Sequence, residues 1–463
     1  MFDLQRQYNF RKLLIRSTEK IPCMMLGMSL LVLGAILLLS IYSVDAIIVG
    51  LTEYDLFAYA ARAKVAESNP TLTNPNLKVE LLVQGLRAPT SMVFIGPNDI
   101  LVTQKNDGTV IRIVNGTKVI QPLIAVPVAS KDERGLLGLD VSNDPTGNKT
   151  DAFLFYTEKG PVKGEALGNR VYKYELDNNA TKLSNPQLLV DLPWKPGPGH
   201  NGGVLKIGPD NNIYVTIGDV TRTESNESQL YETQAQNVQS GKKADGRAGI
   251  LRITQDGKPV DEGILGSSYP LNLYFSYGIK NSFGFDFDPL TGNLWDTENG
   301  PDYGDEINLV EPGFNSGWKK IHGIWYVGGT LAKGGIAPAA PKDLVDFENK
   351  GTYSSPELTW DLSVAPTALK FLDTEKLGSE YKNNILVGDI NFGNIYYFKL
   401  NQDRKSLDLG KGLTDKIAQT EEELSDVVFG HGFGGITDLE VGPDGFLYVL
   451  VYDKNDGRIY RIH

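Results

Sequence analysis

A single cysteine, Cys23, stands in 463 residues, so no intrachain disulfide framework exists and packing must hold the fold together. In its apolar surroundings Cys23 reads as a small hydrophobic filler. Histidine is almost as scarce, at four. Basic residues are the minority charge, 45 Lys and Arg against 57 Asp and Glu, and a net charge of −12 argues against a nucleic-acid partner, which needs clustered positive surface. Neither a Gly-x-Ser-x-Gly elbow nor a His-Glu-x-x-His helix occurs, which disfavours serine hydrolases and zincins.

One long uncharged run is present, Ile21 to Val44, and it follows Arg6, Arg11, Lys12, Arg16 and Lys20. A helix of that length crosses a bilayer, and the positive flank keeps residues 1–20 in the cytoplasm. A cleaved signal peptide has a shorter apolar core and a small-residue cleavage site, so the run is expected to be an uncleaved transmembrane anchor. Residues 45–76 then read as a linker. The expected location is the cell membrane, single-pass, with residues 77–463 on the extracytoplasmic side. Four Asn-x-Ser/Thr sequons, at Asn115, Asn148, Asn179 and Asn226, suit that side.

From Leu77 onward the 50 glycines and 24 prolines of the chain punctuate short alternating strands. A unit of strand, Gly-Pro-Asn/Asp-type turn, strand, loop and strand recurs six times at a spacing of roughly 60 residues, the period of a β-propeller. The units open at Met92, Leu136, Val204, Gly284, Ala368 and Asp438. The predicted fold is therefore all-β, a six-bladed β-propeller behind an N-terminal transmembrane helix. The last unit has only three clear strands, and Val79–Val83 stands ahead of the first, so pairing the two would close the ring without an exposed edge. A β-sandwich is the rival, but it does not need this internal repeat.

The third unit opens with Pro196-Gly-Pro-Gly-His-Asn-Gly-Gly203, whose glycines let a ligand approach the backbone beside His200. Taken alone, such a histidine is more often a strand cap than a reactive group.

Gly135-Leu-Leu-Gly-Leu-Asp140, Gly199-His-Asn-Gly-Gly203, Tyr277-Gly-Ile-Lys-Asn-Ser-Phe-Gly284 and Glu298-Asn-Gly-Pro-Asp-Tyr-Gly-Asp-Glu306 with Gly317-Trp318 follow in order. Each motif is weak, but the series resembles the soluble quinoprotein glucose/sorbosone dehydrogenases, or aldose sugar dehydrogenases, over about residues 77–463. That resemblance implies a propeller that binds pyrroloquinoline quinone and Ca2+ at the channel mouth and oxidises the anomeric carbon of an aldose. It makes His200 the general base, Asn281 a cofactor contact, and Lys280 the cation where the family usually has Arg. Backbone carbonyls of Gly300 and Pro301 would ligate calcium, and Glu306 matches the carboxylate of a further calcium site.

The chain also departs from the pattern. Gly435 and Thr437 replace a pair of last-blade arginines, Asn391 replaces a lysine, and Glu133 replaces a glutamine. Buried carboxylates of the cofactor need charged partners, so cofactor binding would have to draw on Lys280, Arg134 and His431. Arg134 reads equally as a solvated turn residue and His431 as a surface-loop residue. Two other readings therefore stand beside the dehydrogenase: a propeller that has lost the cofactor and binds carbohydrate or a surface partner, and a calcium-dependent lactonase-like hydrolase. The sugar and the electron acceptor are not readable from the residues.

Overall fold

The computed structural model describes residues 69–143, 150–177, 179–221, 230–328 and 331–463. The chain divides into two compact units, Met1–Lys64 and Val65–His463. The first unit, with the expected basic segment and the anchor at 21–44, lies outside the described residues, as does the expected linker up to residue 68. Among the described residues no helix is long and apolar enough to cross a membrane.

The fold is all-β, as expected, and a four-residue turn of α-helix, Glu421–Leu424, is its largest helical piece among the described residues. The repeat sets local structure through its turns. In Gly208-Pro-Asp210 the Asp210 carboxylate accepts from the Asn212 N–H and from the Tyr214 hydroxyl at 3.0 Å, and in Gly442-Pro-Asp444 the Asp444 carboxylate accepts from Phe446 N–H and from Tyr448 at 3.0 Å. The same side chain thus closes the same turn in the third and sixth units, using an Asx-type bond.

Each unit becomes a sheet of four or more antiparallel strands, most gaining an outer strand that the repeat did not reveal, such as Leu183–Leu192 and Tyr274–Tyr277. A separate three-stranded sheet forms from Ile321–His322, Trp325–Val327 and Lys333–Ile336. The last sheet takes its outer strand from the start of the repeat region, where Val79–Leu86 pairs antiparallel with Gly457–Ile462. Thr71–Leu72, expected to be linker, already pairs with Gly430–His431.

The innermost strands are Pro89–Gly96, Leu136–Asn143, Leu205–Ile207, Ser282–Phe287, Pro366–Phe371 and Gly435–Val441. Each sheet packs on the next, and the sixth returns to the first. Strand alternation explains how one sheet serves two neighbours. Val215 packs into the core shared with the Leu136–Leu192 sheet, while its neighbour Tyr214 packs into the core shared with Phe285 and Leu294. Both faces are therefore buried, as for sheets stacked radially. The crowding at the axis selects glycine: a Cβ on Gly138 would lie 2.0 Å from the Gly203 carbonyl, tying the first resemblance motif to the second.

On the axis a cavity of about 30 Å3 is lined by all six inner strands, and beside it stands a ring of charge. Asp140, Asp286 and Asp438 each accept the backbone N–H of the next sheet's inner strand, at Ile207, Phe371 and Met92. Glu440 receives Lys206 Nζ at 2.6 Å and Lys370 Nζ at 3.0 Å, and Lys370 also reaches Asp286 at 3.3 Å. Burial disfavours charge on Glu440 and Asp438, but the two lysines overcome it at Glu440, holding its carboxyl down at about 2, while desolvation and the neighbouring Glu440 charge push Asp438 up to about 7. Asp140 rises to about 6 through desolvation.

Glu440 therefore supplies stability above the ordinary carboxylate range that is lost as pH falls from about 4 toward 2, whereas Asp438 and Asp140 favour the protonated form and subtract stability as pH rises from about 4 to 7. Glu440→Gln is expected to destabilise the protein by about 3 kcal/mol at pH 7, since it strips two lysines of a shared partner. Asp438→Asn, which keeps an acceptor for Met92, is expected to cost less than 1 kcal/mol and to flatten the stability profile between pH 4 and 7. Chemical denaturation across that range measures both, and equal losses from the two substitutions would contradict this charge assignment.

Candidate active site

The loops at one end of the inner strands converge on Gly218, where a Cβ would lie 2.5 Å from the carbonyls of both His200 and Lys280. Only glycine permits that approach. His200 itself is held at φ 55°, a left-handed conformation that costs a non-glycine residue about 1 kcal/mol and persists only where surroundings impose it.

Those surroundings are explicit. Glu133 Oε2 accepts the His200 N–H at 2.5 Å. Arg134, buried, donates to the carbonyls of Trp194 at 2.7 Å and Gly197 at 3.0 Å, and lies over the Trp194 ring. From the other side Arg247 donates to the carbonyls of Lys195, Asp219 and Tyr231. The Pro-Gly loop is thus gripped through its backbone before its histidine is presented.

The imidazole is oriented in turn. His200 Nδ1 lies 2.7 Å from Asp219 Oδ1, and the other Asp219 oxygen accepts from the Trp318 indole at 2.9 Å and Oδ1 from the Thr221 N–H. Asp219 is 2 % exposed, yet these partners keep its carboxyl below the ordinary range: the His200 ring first, then Lys280, outweigh desolvation. An ionised Asp219 fixes the proton on Nδ1 and leaves Nε2 with a lone pair. Lys280 Nζ sits 3.2 Å from that Nε2.

Lys280 is buried, and its remaining contacts are the carbonyls of Gly300 at 3.0 Å and Asn299 at 3.2 Å. Desolvation lowers its pKa, opposed by Asp219, Glu133, Asp305 and Glu298. Asn281 accepts the Gly202 N–H at 3.1 Å and donates to Asn299 Oδ1 at 3.2 Å, joining the histidine loop to the next sheet.

Glu306 lies below this layer in a buried cluster. Its Oε2 accepts from Asn308 Nδ2 and lies 3.0 Å from Ser316 Oγ, its Oε1 accepts from the Gly323 N–H, and Ser316 Oγ also lies 2.6 Å from Glu298 Oε2. Asp296 presents two carboxylate oxygens with no hydrogen-bond partner, Asn308 Oδ1 and both His322 ring nitrogens also make no hydrogen bond, and His322 Nδ1 lies 3.7 Å from Glu306 Oε1 and 3.8 Å from Glu298 Oε1. Desolvation pushes Asp296 up to about 7 and Glu306 to about 8, Glu306 being raised further by the Asp296 charge.

The structure brings together His200, Glu133, Lys280, Asn281 and Gly300, with Pro301 on the same turn. It gives three expected cofactor contacts other surroundings. Arg134 grips the His200 loop through Nη2, which donates to the Trp194 and Gly197 carbonyls, while its Nε makes no hydrogen bond. Asn391 donates to Ser363 O at 3.3 Å. His431 is exposed and bonds Thr71 Oγ1 at 2.9 Å on the outer edge of its sheet. Thr437 spends its hydroxyl on the Pro89 and Leu450 carbonyls. Sequence reasoning missed Asp219, although it closes the hairpin that begins at His200. It also missed Arg247 and the second carboxylate, Glu298, whose Oε1 accepts the Lys280 N–H at 2.6 Å.

Two calcium positions give opposite answers to the same question. Around Glu306, uncommitted hard oxygens of Asp296 and Asn308 suit a divalent cation. At Gly300 they do not. An ion held about 2.4 Å from that carbonyl would lie within roughly 5.5 Å of the Lys280 ammonium, a repulsion on the order of 6 kcal/mol at an effective dielectric of 20.

Residues 86–461 match the glucose/sorbosone dehydrogenase family, and the chain belongs to that family. Over 390 residues it is 26% identical to the aldose sugar dehydrogenase YliI of Escherichia coli, covering 83% of this chain and 92% of that one. It is 29% identical over 293 residues to quinoprotein glucose dehydrogenase B of Acinetobacter calcoaceticus, covering 60% of this chain and 59% of that one. In fold it resembles the apo aldose sugar dehydrogenase from Escherichia coli, with a TM-score of 0.64 at 22% identity over 84% of this chain and 99% of that one. The PQQ-bound aldose sugar dehydrogenase of Streptomyces coelicolor superposes with a TM-score of 0.58 at 19% identity, over 85% of this chain and all of that one (100%).

Proposed function

We propose that this protein is a membrane-anchored quinoprotein that oxidises the anomeric carbon of an aldose, with His200 as general base. The observation that carries the reading is the Asp219–His200 hydrogen bond of 2.7 Å, which leaves Nε2 basic at the channel mouth. We read the six larger sheets as six blades around that channel.

The reacting end of the site fits pyrroloquinoline quinone, with an oriented imidazole, the Lys280 cation and the Asn281 amide meeting at one point. When bound, the quinone would supply the two-electron acceptor for hydride leaving the sugar carbon. His200 Nε2 takes the hydroxyl proton as the C–H bond breaks, and the carbonyl product leaves with both electrons removed. Asp219, ionised and buried, stabilises the imidazolium that results. Lys280 holds Nε2 in the resting site, so the sugar hydroxyl and the ammonium alternate there.

A second reading, a propeller that binds without redox chemistry, draws support from the absence of a cation at Asn391, Gly435 and Thr437. Reconstitution separates the two. The chain loaded with the quinone should oxidise aldoses, and His200→Gln should keep cofactor affinity while lowering turnover about 100-fold to 10,000-fold. Undiminished oxidation by His200→Gln would remove the base assignment; no oxidation by the wild type would favour the binding module.

The Glu306 cluster is proposed to hold structural calcium. At a free concentration of about 100 times the dissociation constant, such an ion would add roughly 2.7 kcal/mol. Chelation should lower the melting temperature, and Glu306→Gln should abolish that response. A chelator-insensitive wild type would rule the site out.

Anchoring rests on the basic residues ahead of Ile21–Val44. Protease added to right-side-out vesicles should release the sheet domain, and complete protection would place it on the other side.

A further inference from the structure

We propose that the Lys280 ammonium is the resident cation of the turn carrying Asn299 and Gly300, and that it excludes a divalent ion from the Gly300 carbonyl in the cofactor-free protein. Two carbonyls and one imidazole nitrogen surround Nζ at 3.0 to 3.2 Å, and an ammonium has three protons to give. The arrangement is that of a small cation in a cage of neutral donors. Four carboxyl groups, Asp219, Glu133, Asp305 and Glu298, surround this cage, and of these Asp219 is held ionised. Asp305 fixes the turn itself, accepting the Gly300 N–H at 2.6 Å on one oxygen and the Ala365 N–H at 2.7 Å on the other.

Lysine suits this place for a physical reason. Its ammonium is a compact point charge on a flexible stem, whereas a planar guanidinium would aim its donors in a fork and could not close on three convergent acceptors. The indole of Trp318 lies 5.9 Å from Nζ and walls off the remaining side. Removing the charge while keeping the stem's bulk would leave the convergent carbonyls of Asn299 and Gly300 with no cation beside the ionised Asp219, and hard oxygens of this kind suit a divalent ion.

The experiment measures calcium, not turnover, so it stands or falls apart from the dehydrogenase reading. The full chain is purified without cofactor, and calcium bound per chain is determined by equilibrium dialysis for wild type, Lys280→Met and Glu306→Gln. Lys280→Met should bind one calcium more than the wild type and gain a calcium-dependent rise in melting temperature. Glu306→Gln, with its lysine intact, should bind none at the mouth. A folded Lys280→Met protein with the wild-type stoichiometry would overturn the proposal. If Lys280→Met folds only when calcium is supplied, the proposal is supported. If it does not fold at all, the Glu306→Gln arm decides: tight calcium remaining there, displaced by a second substitution Asp305→Asn, would mean that the ion and the ammonium coexist, and the proposal fails.

Discussion

The strand Val79–Leu86, zipped to Gly457–Ile462 at the other end of the domain, is the contact on which everything else depends. An open stack of sheets would leave one hydrophobic face bare and one strand edge unpaired, both costly in water. Joining the ends removes both at once. It also forces all six inner strands to run side by side around one axis, so the loops before them must meet at a common mouth. The geometry of the mouth is then a by-product of closure: His200, Lys280 and Glu133 lie far apart in sequence and adjacent in space because they precede inner strands that are neighbours.

Inside that ring, charge is distributed by scarcity of cations. Deep in the channel two lysines serve Glu440 and Asp286, and the remaining carboxyls are pushed toward neutrality. At the mouth a single ammonium, Lys280, faces four carboxyl groups, and Asp219 among them stays ionised because it also has the imidazole and an indole N–H. Below, Asp296, Glu298 and Glu306 crowd together beside the uncharged His322 ring, and desolvation raises their pKa instead. These three solutions to one electrostatic problem leave a plugged channel, an oriented imidazole, and a set of hard oxygens suited to a metal.

Much of this was legible in the residues. Turns such as Gly-Pro-Asp carry their own hydrogen-bonding carboxylate, so the repeat and the hairpins could be read directly, and so could ring closure by Val79–Val83. Outer strands such as Leu183–Leu192 escaped notice because edge strands alternate weakly and lack the turn signature. In the site, the glycine-rich loop singled out His200, while Asn281 came only from the family resemblance. Side-chain direction was another matter. Nothing in the order of residues tells that Arg134 turns toward the Trp194 carbonyl, that His431 turns outward to Thr71, or that Asp219, nineteen positions after His200, returns to hold its ring. Those facts are set by tertiary contacts between sheets, and Lys280 closing on Gly300 is the plainest case.

Asp219 holds His200 as the Nδ1–H tautomer, with Nε2 an acceptor toward Lys280. The 15N resonances of the His200 ring in selectively labelled protein report this directly. A protonated, pyrrole-type signal for Nδ1 and a pyridine-type signal for Nε2 are expected at neutral pH, both lost to tautomeric averaging in Asp219→Asn. A pyridine-type Nδ1 with the proton on Nε2 in the wild type would contradict it.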